Sequence, residues 1–161
     1  MLHRASLVDR RCPVQVLATR LEYFVDTRIN SSDSASSLFI SPEELASRLG
    51  LADAPLLLDV RPQARFDASP QMLAGARRCS PQDVPALAAV LLAENPHQEI
   101  VTYCVYGHHV SMGAAAELRA AGLNACALAG GFEGGEDGVE SVQEISRWRS
   151  AQLPTIAKGK R

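Results

Sequence analysis

The sequence predicts an α/β domain, a mostly parallel central sheet of about five strands with helices on both faces. Three observations carry that expectation. Short apolar or β-branched runs recur at Leu56 to Val60, Ile100 to Val105 and Ala125 to Leu128. Helical stretches with their own start and stop signals separate these runs, and strands alternating with helices build βαβ units. The length, 161 residues, suits one such domain with flanking segments.

In chain order, residues 1–37 form a leader. Leu17, Leu21, Phe24 and Val25 share one helical face, and that segment is either a helix docked on the core or on a second subunit, which would make a homodimer, or a frayed N-terminal arm. Asn30 to Ser37 is a small, polar linker, so the domain is placed at residues 38–155. Ser41-Pro42-Glu43-Glu44 is a capping box with proline at the first helical position, and Gly50 ends that helix. Leu56 to Val60 is apolar but for Asp59 and turns polar at Arg61, the pattern of a strand buried on both faces. Ser80-Pro81-Gln82-Asp83 repeats the cap signature ahead of a helix that buries Val84, Leu87, Val90 and Leu91 and stops at Asn95-Pro96. The strand from Ile100 to Val105 leads through Gly107 into a helix from about Ser111 to Gly122, and Ala125 to Leu128 precedes a Gly130-Gly131 turn. Residues 156–161 form a short basic tail, expected to be without structure.

Composition excludes several functions. Apolar residues make up 47% and charged residues 21%, and 16 basic against 18 acidic side chains leave a net charge of −2. Nucleic-acid and anionic-membrane binding rest on clustered Lys and Arg, so neither partner is expected. No apolar stretch approaches the roughly 20 residues of a membrane span, and charges interrupt the N-terminal segment as they would not in a secretory signal. A cytoplasmic location follows. Cys12, Cys79, Cys104 and Cys126 are too widely spaced for a zinc site and read as thiols. No metal or organic cofactor is implied.

Cys104 stands where a buried strand turns into a helix, the place where open parallel sheets bind ligands. The loop Cys104-Val105-Tyr106-Gly107-His108-His109-Val110-Ser111 can curl so that successive N–H groups point at one centre beside the positive end of a helix dipole. Such a cradle binds anions and favours a thiolate. Gly107 permits the curl, and His108 and His109 supply positive charge or protons near neutral pH. Against this stands a Cys104 that is a small buried hydrophobe and no more. Cys79 and Cys126 are assigned to core packing, His97 to a surface loop, and Cys12 to an exposed or resolving thiol.

Taken together, residues 38–155 resemble the rhodanese family of single-domain sulfurtransferases. Ile40-Ser41-Pro42-Glu43-Glu44-Leu45 is similar to the family's opening strand and helix, and Leu57-Leu58-Asp59-Val60-Arg61 to its Asp-Val-Arg strand end. Phe66 with Gly75-Ala76, the Gly130-Gly131 turn, and Trp148-Arg149 with Leu153-Pro154-Thr155 also fall in family order. Cys104 matches the persulfide-forming cysteine, and the resemblance makes Asp59 and Arg61 supports of the loop region.

The chain departs from the family in three ways. The usual loop, C-x-x-G-x-R-S, ends in Ser at the sixth position, whereas here Val110 is sixth and Ser111 seventh, with His109 in place of the Arg. Related phosphatases and arsenate reductases use C-x5-R; Val110 holds that Arg position, and an apolar side chain cannot replace a guanidinium fork. The loop also resembles that of rhodanese-like proteins associated with bacterial chromate resistance. Finally, the Trp expected near Gly135 occurs only at Trp148, which implies an insertion near 134–147. There Val139, Val142, Ile145 and Trp148 are spaced by three, consistent with an extra helical turn or two.

The expected chemistry is transfer of a sulfane sulfur from thiosulfate or a persulfide to a thiol acceptor through a Cys104 persulfide. Backbone N–H groups from Val105 to Val110 and the Ser111 end of the loop would bind the substrate. The alternatives are a non-catalytic module that binds sulfane sulfur, a chromate- or arsenate-like oxyanion or a protein, and a thiol-dependent oxyanion reductase that would need Cys12 as its second thiol.

Overall fold

Successive residues of a strand face opposite sides of a sheet, and in the computed structural model this alternation divides the apolar runs between two cores. The structure describes residues 37–159. In chain order the elements are β1 (Phe39–Ile40), α1 (Pro42–Arg48), β2 (Leu56–Asp59), α2 (Gln63–Ala68), β3 (Gln71–Leu73), β4 (Arg77–Arg78), α3 (Val84–Glu94), β5 (Glu99–Tyr103), α4 (His109–Ala120), β6 (Asn124–Leu128), α5 (Val142–Ser150) and β7 (Thr155–Ala157). Five strands form a sheet in the order β1-β6-β5-β2-β4, and every neighbouring pair is parallel. The expected α/β architecture is present. The leader helix from Leu17 to Val25, most of the serine-rich linker, Cys12 and His3 lie outside the described residues.

Leu58, Val60, Ile100, Ala125 and Ala127 share one core with Val84, Leu87 and Leu91 of α3 and Ala115 and Leu118 of α4. Leu57, Val101, Tyr103, Cys126 and Leu128 share the other with Ile40, Leu45 of α1 and Leu73 of β3. Cys79 and Cys126 are buried among these side chains, as core packing requires. No helix among the described residues is long and apolar enough to cross a membrane.

Several local expectations are revised. Ser41 caps α1 as its sequence suggests, its hydroxyl accepting from the Glu44 N–H at 3.1 Å. Ser80 makes no such side-chain bond; Pro81–Asp83 is a 3-10 turn and α3 starts at Val84. Val90 is 45% exposed and Ala88 takes its place in the core. Because α3 is apolar nearly all round, the spacing of its large residues does not reveal which face is covered. In the insertion, α5 opens on a complete capping box between Ser141 and Glu144, but only Ile145 of the valine and isoleucine positions is buried. Ile156 and Ala157, expected in a structureless tail, pair antiparallel with Met72 and Gln71. Lys158 continues the contact, donating to the Phe66 carbonyl and lying over its ring.

Two measurements follow. Leu118 is fully buried, whereas Val142 is 80% exposed; urea denaturation should show Leu118→Ala losing about 2–5 kcal/mol and Val142→Ala no more than about 0.5. Arg48 grips Glu99 with hydrogen bonds of 2.8 and 2.5 Å, and the guanidinium holds the Glu99 carboxyl below the usual carboxylate range. The stability this adds is present above the ordinary pKa of about 4.3 and is lost as pH falls through the lower folded value. Glu99→Gln should therefore show a shallower acid loss of stability than the unmodified chain below about pH 5, by less than ~1 kcal/mol for so exposed a pair.

Candidate active site

Strand β5 ends at Tyr103, and Cys104 follows it at the carboxyl edge of the sheet, between the two neighbours β2 and β6. The Cys104 side chain is buried on the α3 and α4 side, with 5% of the residue exposed. Its Sγ lies 3.3 Å from the Ser111 Oγ in the first turn of α4. Ser111 is itself fixed: its hydroxyl donates to the His108 carbonyl at 3.2 Å, and its carbonyl accepts from the Thr102 hydroxyl at 2.8 Å. The serine one position later than the family pattern thus still reaches the thiol.

The curl from Val105 to His108 closes against the turn after β6. The Phe132 N–H donates to the Cys104 carbonyl and the Glu133 N–H to the Val105 carbonyl, each at 2.9 Å. Gly107 has φ +81°, and a Cβ there would fall 2.6–2.8 Å from backbone atoms of Leu128, Gly130 and Gly131. Gly131, at φ +58°, is equally closed, its missing Cβ lying 2.4–2.7 Å from the Gly107 nitrogen and the carbonyls of Cys104 and Val105. Two backbones therefore meet where no side chain fits. Among the described residues, no carbonyl or side chain accepts from the N–H groups of Tyr106, Gly107, His108, His109, Val110 or Ser111. These donors surround the start of α4, whose dipole favours negative charge.

The two loop histidines have different surroundings. The His108 Nε2 donates to a Glu140 carboxylate oxygen, and its Nδ1 lies 3.6 Å from Glu136. Burial opposes charge on Glu140, yet the bonds from His108 and from the Glu136 N–H, the latter at 2.6 Å, hold its carboxyl below the usual range. His109 is exposed in the first turn of α4. Val110 is half-buried against the core, so it contributes backbone and not side chain to the loop. Val105 and Tyr106 line a groove of about 560 Å³ together with Arg61, Arg65, Glu136 and Arg149. A groove of about 720 Å³ lies instead at the amino ends of β1, β5 and β6, against Arg48 and Glu99, away from the chemistry. Burial raises the Cys79 thiol and pushes that of Cys126 up to about 11, which leaves both poor nucleophiles. Among the described residues, no cluster of His, Cys, Asp and Glu has metal-ligating geometry.

Asp59 and Arg61 sit together on the opposite side of β5 from the thiol. Arg61 is 1% exposed; its Nε and Nη2 donate to Asp59 at 2.6–3.1 Å, and Nη2 also donates to the Gln71 carbonyl at 3.0 Å. Its guanidinium lies 4.3 Å from the centre of the Phe132 ring, in the turn that bonds to the cysteine loop. The Tyr103 hydroxyl donates to Asp59 at 3.0 Å and accepts from the Leu73 N–H at 3.2 Å. Burial and the Asp59 charge push that hydroxyl far above its usual titration range. The strand end β2, β3 and β5 are thereby tied into one buried network.

The segment from Gly134 to Ser150 returns to this turn. Trp148 packs on the turn glycines, so that a Cβ at Gly130 or Gly135 would lie 2.6 or 2.9 Å from its indole. Glu136 and Glu140 were not among the residues singled out from the sequence; nothing local distinguishes them from other surface acids.

Residues 41–137, more than half of the chain, match the family model described as "Rhodanese-like domain". Among solved structures, the Alr3790 protein from Anabaena sp. is similar at 23% identity over 74% of this chain and 82% of that one, with a TM-score of 0.56. A rhodanese-related protein from Thermoplasma volcanium is similar at 18% identity over 74% and 97%, TM-score 0.53. A Rhodopseudomonas palustris protein of unknown function, described as a possible tyrosine phosphatase, is similar at 18% identity over 72% and 82%, TM-score 0.53. No curated protein matches the chain. These likenesses establish a shared fold.

The glycine contact is open to direct test. Gly131→Ala should lower the unfolding free energy by about 1–3 kcal/mol from backbone strain, with the clash adding to it. Gly113, in α4 with open space around its missing Cβ, should behave oppositely, Gly113→Ala gaining about 0.4–1 kcal/mol. Paired denaturation curves would show both.

Proposed function

The chain belongs to the rhodanese-like domain family, and on that footing we propose that it is a sulfurtransferase with Cys104 as the nucleophile. The observation that carries this reading is the Cys104 Sγ held 3.3 Å from Ser111 Oγ at the start of a loop whose N–H groups from Tyr106 to Ser111 have no acceptor among the described residues. A cradle of unpaired donors at a helix N-terminus suits a negatively charged sulfur.

In the first displacement the Cys104 thiolate attacks the outer sulfur of thiosulfate or of a persulfide. The new S–S bond forms as the old one breaks, and the electron pair departs on sulfite or on a thiolate. In the second, a thiol or cyanide attacks the terminal sulfur of the Cys104 persulfide and returns the cysteine to thiolate. The Ser111 hydroxyl is placed to turn from the His108 carbonyl toward the sulfur when it carries charge. With Val110 at the Arg position and Arg61 bound to Asp59, no guanidinium stands in the loop to clamp a phosphate-like dianion, which favours sulfur transfer over phosphatase chemistry. The groove beside Val105 and Tyr106 is the place for the donor's remainder or the acceptor.

Intact-protein mass spectrometry tests this. After incubation with thiosulfate or glutathione persulfide, the chain should gain one sulfur, about 32 Da, lost on adding cyanide and absent in Cys104→Ala. No adduct from either donor would turn the reading to a module that binds sulfane sulfur or an oxyanion such as chromate, read by titrating those ions against the loop.

A further inference from the structure

The insertion near 134–147 does more than lengthen the chain. Its first turn, from Glu136 to Glu140, is closed by the Val139 and Glu140 N–H groups donating to the Glu136 carbonyl at 3.1 and 3.3 Å. Glu136 and Glu140 therefore project on one side, as residues four apart do on one helical turn. Both ends of this strap are fastened. On one side, Glu133 and Gly135 donate to Val105 and Gly130 at 2.9 and 2.7 Å, and Arg149 Nε donates to the Glu133 carbonyl at 3.0 Å. On the other, the Ser141 capping box begins α5.

What the strap holds is His108. This residue is the N-cap of α4, with no side-chain cap of its own, and its carbonyl accepts from both the Met112 N–H at 3.1 Å and the Ser111 hydroxyl at 3.2 Å. The orientation of the N-cap residue determines where the first-turn N–H groups point. Gly107 has no side chain, and the Tyr106 hydroxyl has no partner among the described residues, so the imidazole is the polar tether of the curl there. The groups facing it are Glu136 and Glu140 from the strap and Tyr106, whose ring centre is 6.2 Å away.

We propose that Glu140, backed by Glu136, is a positioning residue for Cys104, acting through the His108 side chain, the His108 carbonyl and Ser111. The insertion thus fastens the cysteine loop in its curled form from outside the loop, in place of a cation within it. The inference rests on Cys104 as the reacting atom but not on sulfur transfer, and its test reads the thiol alone.

The rate of iodoacetamide alkylation at Cys104, followed by peptide mass spectrometry on the full chain across pH, separates access, which sets the plateau, from thiolate formation, which sets the midpoint. Glu140→Ala should move the midpoint upward by about one pH unit, because an unfastened loop stabilises the thiolate less. Glu140→Gln keeps an oxygen that accepts from the imidazole and should stay within about 0.3 unit of the unmodified chain. His108→Ala should match Glu140→Ala, and the double variant should shift no further; this arm decides the matter if Glu140→Ala fails to fold, as its melting curve would show. A midpoint that falls in both Glu140 variants would mean a bare charge effect, and one that moves in none would mean a decorative strap. Either overturns the proposal. A missing persulfide with the midpoint shifts present would instead sink the sulfurtransferase reading alone.

Discussion

The contact between Gly107 and Gly131 is the constraint on which the site depends. Parallel neighbours β5 and β6 deliver their carboxyl ends side by side, so the loop after one must coexist with the turn after the other. They do so by backbone against backbone, at separations that leave no room for a Cβ on either glycine. The turn's N–H groups at 132 and 133 are used up on the carbonyls of Cys104 and Val105. This pins the loop by its acceptors and leaves the N–H groups from Tyr106 to Ser111 without acceptors among the described residues. Trp148 then supports the turn from behind, at Gly130 and Gly135, so the insertion, the turn and the cysteine loop form a stack.

Charge is distributed differently from what the motif alone implies. The one fully buried guanidinium among the described residues, Arg61, is matched to Asp59 and surrounded by the rings of Phe132, Phe66 and Tyr103. Removing two such ions from water is costly, and it is tolerated because each finds several partners. Arg61 therefore shapes the floor under Phe132 while its side chain also borders the groove beside Val105 and Tyr106. The charged groups nearest the loop lie instead in the groove beside Val105 and Tyr106, where Arg65 and Arg149 stand with Glu136.

Much of this was legible from the residues. The runs at 56–60, 100–105 and 125–128 are apolar but for Asp59 and Thr102, a pattern that two-sided burial requires, and Cys104 is marked by its position between such a run and a glycine-containing loop. Elements α2, β3 and β4 were missed because residues 61–78 are short, mostly polar and exposed, and hold their shape through partners distant in sequence. Gln71 to Leu73 becomes a strand only because Thr155 to Ala157 comes to lie beside it. The roles of Glu136 and Glu140 were hidden for the same reason: a surface carboxylate gains meaning from the imidazole opposite, and no spacing rule connects positions 108 and 140. Val90 failed for a different cause, since a helix that is apolar all round gives periodicity nothing to distinguish.

The register of the sheet also bears on how the chain is born. Phe39 and Ile40 pair with Ala127 and Leu128, and β3 waits for residues near the carboxyl end. Ribosomes add about 5–20 residues per second, so these outer ladders have no partner for seconds while the central β2, α3 and β5 are already outside. The first strand among the described residues is thus among the last to be paired. Synthesis from the amino end therefore completes the cysteine loop before β6 and its glycine turn exist, and the loop closes only once that turn can donate to the carbonyls of Cys104 and Val105.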